Sequence, residues 1–343
     1  MQESRLLLMK ITIKDVARMA NVSISTVSRV INNSPTVGSD IRRRVLDVLE
    51  VTQFRPNAIA RTLVKNTTSL IGVLLPEIKN NVLDDMVEGI NQVARLYGFD
   101  VMIALSGGNE ESELHYYNLF REMQASGIIV SASGIRDSLF DLTQASNIPC
   151  LLVGRDYREK SIPSVHVDNV SAAFEAVTYL IQQGHRDIAM LRGSTGDISA
   201  GNHRFQGYEQ ALHAAHLPIR PERVLESALS VEEGAAAMRK LYDSGPLPTA
   251  VFCATDRIAI GAMNFLAETG VKVPEQVSFF GFDDIDMTVI IRPKLSTVRY
   301  SASELGMVAA RNLIKLIKGE ELSAYHWSVS HQLQIRDSIA RLN

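Results

Sequence analysis

Two periodicities divide the chain. Up to residue 66, apolar side chains recur at helical spacing. Thr12 precedes Ile13, Val16, Ala17 and Ala20, with Asp15 three residues after it, a capping pattern with Asp in place of Glu. Asn21-Val22-Ser23 interrupts the pattern. Ser23 is placed to cap a second helix that turns Val27, Val30 and Ile31 inward. Asn32-Asn33-Ser34-Pro35 reads as a loop, and Ser39 or Asp40 as the cap of a third helix carrying Ile41, Val45, Val48 and Leu49. Pro56 ends this region, and residues 57–63 read as a short helical candidate before polar Lys65-Asn66-Thr67-Thr68.

Beyond residue 68, apolar runs of strand length alternate with amphipathic helical stretches. Strands are expected at 69–75, 101–105, 127–131 and 149–153, with helices at 83–97 and 110–125. A second series is expected to begin at 165–168. Its further strands are at 188–191, 250–253 and 277–280, and its helices at 172–183, 205–215, 232–243 and 258–269. This alternation predicts an α/β fold of parallel sheets covered by helices, and two runs of it predict two subdomains. Ligands of such sheets sit beyond the carboxyl ends of the strands, so a cleft between the subdomains is the expected pocket.

Composition and charge narrow the class. A chain of 343 residues predicts two to three domains, and 46% hydrophobic with 21% charged residues is a globular composition. No apolar run approaches the roughly 18 residues of a membrane span, and Leu6-Leu7-Leu8-Met9 is too short for a signal peptide. A cytoplasmic location and no membrane association are therefore expected. The net charge of −3 hides an asymmetry: residues 9–66 carry ten Lys/Arg against four Asp/Glu, residues 67–343 carry 24 against 33. A basic head on an acidic body fits a polyanion partner, although a solvated basic face gives the same count. Cys150 and Cys253 both lie in apolar runs and read as buried thiols rather than a disulfide or metal framework.

The segment from Thr12 to Asn32 has the mechanics of a helix-turn-helix. Small Ala17 lets two helices approach, and the turn at residues 21–23 sets their angle. The second helix then offers Ile24, Ser25, Thr26, Ser28 and Arg29 to base edges in the major groove. Arg29 suits a bidentate pair with guanine and Ile24 a thymine methyl, while Ser23 and Thr26 suit phosphates. An ordinary helical hairpin is the alternative.

These residues resemble the lactose/galactose-repressor (LacI/GalR) family. The family's Thr-x-x-Asp-Val-Ala start and Val-Ser-x-x-Thr-Val-Ser-Arg-Val helix match from Thr12 to Asn32, and residues 55–63 resemble its hinge helix. Further matches in family order are Leu70-Ile71-Gly72-Val73, Gly184-His185-Arg186, Arg204-Phe205-Gln206-Gly207-Tyr208, the run around Asp256, Ala259, Gly261 and Ala262, and Gly281-Phe282-Asp283-Asp284. Residues 1–8 lie outside the pattern. The resemblance implies a helix-turn-helix headpiece (10–56), a hinge helix and linker (57–66) and a two-lobed core (67–343) similar to periplasmic binding proteins. It implies a homodimer on a pseudo-palindromic double-stranded DNA operator and a small-molecule effector, with no cofactor and no enzymatic activity. DNA contacts carry over to Thr12, Asn32, Asn57 and Ala60 besides the helix residues above. Leu63 carries over as an apolar wedge in the operator's minor groove, its alternative being a buried anchor in the linker.

For the effector, the resemblance implies Arg204 and Asp283, with Thr255 in a slot often polar in relatives. A carboxylate accepts from hydroxyls and a guanidinium donates to a ring oxygen, hydroxyl or carboxylate. A structural ion pair across the cleft is the alternative for Arg204 and Asp283, and a helix N-cap is the expected role of Asp256. Three positions depart from the pattern: residues 76–83 lack an aromatic pair, Leu229 is aliphatic, and Gly154-Arg155 replaces a more polar pair. A sugar, sugar acid or phosphosugar is the expected effector, and with fewer stacking platforms Lys79, Arg155 and Arg192 point toward an anionic one. Two other readings remain open, a regulator controlled by a protein corepressor and a solute-binding protein that shares the core. There is no Gly-x-x-x-x-Gly-Lys phosphate loop and no Gly-x-Ser-x-Gly elbow. Glu209, His213 and His216 share a helical face without a second cluster to complete a metal site.

Overall fold

The computed structural model describes residues 11–31, 34–54, 68–76, 81–131, 137–154 and 162–342. The chain divides into one unit up to Thr68 and a second from Ser69 onward.

The first unit holds α1 (Ile13–Met19), α2 (Ile24–Ile31) and α3 (Ser39–Thr52). The Thr12–Asp15 capping box forms: the Thr12 amide donates to Asp15 Oδ2 at 3.0 Å and the Asp15 amide to Thr12 Oγ1 at 3.4 Å. Ser23 Oγ accepts from the Thr26 amide at 3.1 Å, so both helix starts follow the polar pattern. The third helix differs. Gly38 takes the N-cap position without a side-chain bond, and Ser39 is already helical. Asp40 instead places its charge in the first turn, where the helix dipole favours it. Asn21, at φ 52°, supplies the left-handed residue of the turn between α1 and α2. Val16, Ala17, Ala20, Val27, Val30 and Val45 form the small core.

The second unit contains two six-stranded sheets. The first consists of β1 (Leu70–Leu75), β2 (Asp100–Leu105), β3 (Gly127–Val130), β4 (Cys150–Val153), β5 (Ser164–Val167) and β11 (His326–Val329), in the order β11-β5-β4-β3-β1-β2. The second consists of β6 (Ile188–Arg192), β7 (Val224–Glu226), β8 (Ala250–Cys253), β9 (Ser278–Phe282), β10 (Ser296–Tyr300) and β12 (His331–Gln334), in the order β12-β10-β9-β8-β6-β7. All ladders are parallel except β10–β12. Helices α4 (Asn81–Leu96), α5 (Glu110–Glu122) and α6 (Asp137–Ala145) alternate with the first strands. Helices α7 (Asn169–Gln182), α8 (Arg204–Ala214), α9 (Val231–Asp243), α10 (Asp256–Thr269) and the short α11 (Met287–Ile290) belong to the second lobe. Helix α12 (Ala302–Ile317) returns to pack on α4 in the first. The buried, free Cys150 and Cys253 sit in β4 and β8.

One strand lies in the other sheet from the one that its place in the series predicts. The run at 165–168 does not open the second series. As β5 it pairs with β4 through Leu152↔Ser164 and Val153↔Val165 and so completes the first sheet. Strand periodicity reports burial and not which sheet a strand joins, so the lobe boundary falls one strand later. The chain crosses between lobes three times, at 167–169, 300–302 and 329–331.

Small residues set the closeness of the helix pairs. A methyl group on Gly306 of α12 would fall inside contact distance of the Met86 carbonyl oxygen, and one on Gly89 of α4 would meet the Ser303 carbonyl oxygen. Gly306→Ala must therefore separate α4 from α12. We expect a loss of about 1–3 kcal/mol, read as a lower denaturant midpoint.

Candidate DNA interface and effector cleft

Helix α2 buries Val27 and Val30 and leaves its other face to solvent. Ser23, Ile24, Ser25 and Arg29 are exposed, and Thr26 and Ser28 half-buried. Ile24, a large aliphatic side chain, is 44% exposed at the start of the helix, where burial would be the ordinary outcome. The Ser23 hydroxyl lies 2.8 Å from those of both Ser25 and Thr26, so the first turn carries a cluster of hydroxyls that can donate. Thr12 is exposed at the start of α1, its side chain engaged in the capping box. Asn32, Asn57, Ala60 and Leu63, with the expected hinge, lie outside the described residues.

In the second unit, a cavity of about 370 Å³ opens at the carboxyl ends of both sheets. Its walls include Pro76, Ser131 and Gly154 after strands of the first lobe, Asn169 and Tyr300 at two crossings, and Asp197, Arg204, Thr255 and Asp283 of the second lobe. The volume falls in the range of small-molecule sites. Arg204 is held on several sides. Its Nε donates to Asn169 Oδ1 at 2.8 Å, Nη1 donates to the Ala254 carbonyl oxygen, and the guanidinium stacks 3.5 Å above the Phe282 ring. Nη2 lies 3.5 Å from Asp283 Oδ1, and the Tyr300 hydroxyl donates to that same oxygen at 3.1 Å.

Asp283 and Asp284 occupy consecutive positive-φ conformations, 114° and 54°. Such backbone costs energy and persists where its surroundings fix it. Asp256 is central to that fixing. Fully buried, it accepts from the Ile285 amide at 3.0 Å and from Thr297 Oγ1 at 2.6 Å. Gly281 leaves the room for it, since a Cβ there would collide with Asp256 Oδ1. Asp284 is clamped by Arg336 at 2.5 Å. Asp256 is therefore not the N-cap expected from sequence. Thr255 takes that position, its hydroxyl accepting from the Ile258 amide at 3.3 Å while it also lines the cavity.

Burial pushes the Asp283 carboxyl up to about 6, although Arg204 and the Tyr300 hydroxyl both pull it down. Burial, with Asp283 alongside, also raises Asp256 well above the usual carboxylate range.

Two sequence expectations change. Arg204 and Asp283 both stand in the second lobe, so their contact does not bridge the cleft. Arg192 adds no positive charge to the cavity wall: it donates to Asn202 Oδ1 at 2.9 Å and stacks 4.3 Å over Phe205. Among the described residues the cavity is lined by one cation, Arg204, against Asp197 and Asp283. Lys79 and Arg155 lie outside the described residues. Sequence reasoning missed Asn169 and Tyr300. Asn169 was within reach, because it follows the expected strand at 165–168 at its carboxyl end. Tyr300 ends β10, a strand that the sequence reading lacked.

A helix-turn-helix unit joined to a two-lobed periplasmic-binding-protein-like core defines a ligand-responsive class of bacterial regulator. Comparison with known proteins agrees. Residues 12–57 match the model described as bacterial regulatory proteins, lacI family, and residues 68–336 match periplasmic binding proteins and sugar binding domain of LacI family. The chain is 34% identical to the HTH-type transcriptional regulator RegA of Clostridium saccharobutylicum, over 96% of this chain and 99% of that protein. It is 33% identical to catabolite control protein A of Priestia megaterium, with the same coverages. Among solved structures, the lac repressor dimer bound to operator and the anti-inducer ONPF superposes with a TM-score of 0.87 at 26% identity, covering 97% of this chain and 100% of that one. The transcriptional regulator CelR–cellobiose complex gives 0.74 at 27% identity, covering 96% and 99%. The chain belongs to the LacI family of DNA-binding transcription regulators, a family of regulators and not of enzymes.

Two outcomes follow from the buried carboxylates. Asp256→Ala leaves the Ile285 amide and the Thr297 hydroxyl without their acceptor, and we expect a loss of about 2–4 kcal/mol at two buried donors, measured by denaturant unfolding. Asp283 titrates at a higher pH when folded than when unfolded, so its stabilising proton is present below about pH 4 and lost as pH rises through about 6. Asp283→Asn is expected to melt closer to wild type at pH 4.5 and above it at pH 7, in thermal unfolding at both pH values.

Proposed function

We propose that the protein is a cytoplasmic repressor that binds a pseudo-palindromic operator as a homodimer and changes its operator affinity when a small polyhydroxylated molecule occupies the core cavity. The observation that carries this reading is the Arg204–Asp283–Tyr300 cluster. A carboxylate acceptor and a guanidinium donor stand side by side in a cavity sized for a small ligand. The Asp283 carboxylate as acceptor and the Arg204 guanidinium as donor suit the hydroxyl and ring oxygens of a neutral sugar. The likeness to a regulator in complex with cellobiose supports the same class.

In this reading residues 10–56 are the headpiece, 57–66 the hinge and linker, and 67–343 the effector-binding and dimerisation core. Arg29 and Ile24 read bases, and Ser23, Ser25, Thr26 and Ser28 meet phosphates or base edges. Thr12, Asn32, Asn57 and Ala60 add contacts, and Leu63 wedges into the central minor groove. Dimerisation is supported by apolar side chains left in solvent at two places of the core. These are Met102, Ile103 and Leu105 on edge strand β2, and Met287, Val289 and Ile290 on or beside α11. The structurally similar lac repressor is a dimer on its operator.

The test is selection of genomic DNA fragments by the purified protein with and without pooled neutral sugars, sugar acids and phosphosugars. We expect enrichment of palindromic sites, altered by the neutral pool. Enrichment that no pool alters would exclude this effector class and favour a protein corepressor. No enrichment would remove the operator reading itself. On an enriched site, Arg29→Ala is expected to weaken specific binding by about 1–3 kcal/mol and to alter non-specific binding much less, in a competition gel-shift assay.

A further inference from the structure

We propose that Tyr300 is the positioning residue of the effector site. Its hydroxyl turns Asp283 Oδ1 toward the protein and leaves Oδ2 as the oxygen offered to the effector's hydroxyl. This rests on the reading of Asp283 as the effector's acceptor.

The geometry supports the division of labour between the two oxygens. Oδ1 faces the Tyr300 hydroxyl at 3.1 Å and the Arg204 guanidinium at 3.5 Å, whereas no described residue donates to Oδ2. A carboxylate with one oxygen occupied by protein donors accepts a ligand hydroxyl on the other. Tyr300 is placed to make this arrangement depend on the lobes. It ends β10 in the second sheet, one residue before the chain crosses to α12 in the first lobe. The ring packs against Phe282 with centroids 6.1 Å apart. Together with Val82 and Asp283 it also forms the wall shared between the effector cavity and a neighbouring cavity of about 650 Å³. That second space is lined by Asp84, Asp85, Asp286 and Glu304. A movement of one lobe against the other that shifts this crossing would move the hydroxyl, and with it the orientation of the carboxylate.

The hydroxyl has an electrostatic consequence as well. Donation to a carboxylate favours its charged form. The other charged groups around Asp283 are Arg204 from α8 and Asp197 from the loop after β6, which act on it, Asp256 from α10, whose own carboxyl it raises, and the adjoining Asp284. Of these, only Arg204 favours the charge. Without the Tyr300 hydroxyl, more of Asp283 would be protonated near neutral pH, and a protonated carboxyl is the poorer acceptor.

The experiment compares thermal stability from about pH 4.5 to 8 for the full chain as wild type, Tyr300→Phe, Asp283→Asn and the double variant. The difference between wild type and Asp283→Asn should bend near pH 6. In the Tyr300→Phe background that bend should move up by about one pH unit, the size of one hydrogen bond to a charged group. With Asn at 283, the tyrosine substitution should leave the shape of the profile unchanged. A bend that stays at its wild-type position overturns the proposal. So does a Tyr300→Phe effect that is the same with and without the carboxylate, because the hydroxyl then acts elsewhere. Titration of wild type and Tyr300→Phe with D-glucose, D-galactose and cellobiose supplies the second readout. For any sugar that binds the wild type, a shift of one unit from about 6 should make the variant bind about twofold more weakly at pH 7 and about fivefold more weakly at pH 6, and the deficit should vanish at pH 8.5. A deficit independent of pH overturns the proposal. If none of the three binds the wild type, the effector reading falls for these sugars, and the stability profiles still decide whether Tyr300 controls Asp283.

Discussion

A carboxylate without access to water organises the effector side of this molecule. Asp256 opens helix α10 and reaches across to the Ile285 amide and the Thr297 hydroxyl, tying the end of β8 to the loop after β9 and to strand β10. That loop contains two consecutive aspartates in backbone conformations that an L residue avoids unless it is held. Removing the tie would let Asp283 and Asp284 relax, and the Asp283 carboxylate would leave the oxygen-to-nitrogen register it keeps with Arg204. The arginine is fixed independently by Asn169, Ala254 and Phe282. The cavity thus has one rigid donor and one acceptor whose orientation is set through a buried second layer, the arrangement by which binding sites hold geometry.

Ligand control requires two arrangements of the lobes that a ligand tells apart. Three features of the core suit that requirement. The chain crosses between lobes at three separated points, two of which carry cavity residues, Asn169 and Tyr300. The helices pack closely through Gly89 and Gly306 in the first lobe and through Gly234 and Gly261 in the second, so each lobe is a stiff body. The cavity draws its walls from both lobes, while the Arg204–Asp283 pair belongs to the second alone. A ligand held by that pair and touching Ser131 or Gly154 across the cleft would favour the arrangement that brings the first lobe to it.

Local chemistry was the most legible part of the sequence. Thr12–Asp15, Ser23 and the Asn21 turn gave the first two helices their boundaries, and buried β-strand runs such as 250–253 stood out by composition alone. Long-range assignments were not legible. Nothing in the run Ser164–Val167 says which sheet it joins, because a parallel strand buried on both faces looks alike in either. The C-terminal strands β10, β11 and β12 are short and mixed in polarity, and so escaped notice along with Tyr300. The motif Gly281-Phe282-Asp283-Asp284 leads into a loop that lines the cavity. The role of Asp256 was legible only in three dimensions, since its partners lie 29 and 41 residues away. Charge was legible as a count and not as a place: Arg192 looked like a ligand group and is engaged by Asn202 and Phe205.

In the proposed function, a molecule bound at Arg204 and Asp283 controls DNA binding by the headpiece. The most direct test is fluorescence anisotropy of a selected operator duplex, titrated with the active sugar, for wild type and Arg204→Met side by side. The sugar is expected to change wild-type operator affinity by roughly 5–150-fold, the usual span of an allosteric coupling. The variant should bind the operator as wild type does without sugar and ignore the sugar when it is added. A variant that responds to the sugar as fully as the wild type would contradict the claim and place the controlling site elsewhere on the chain.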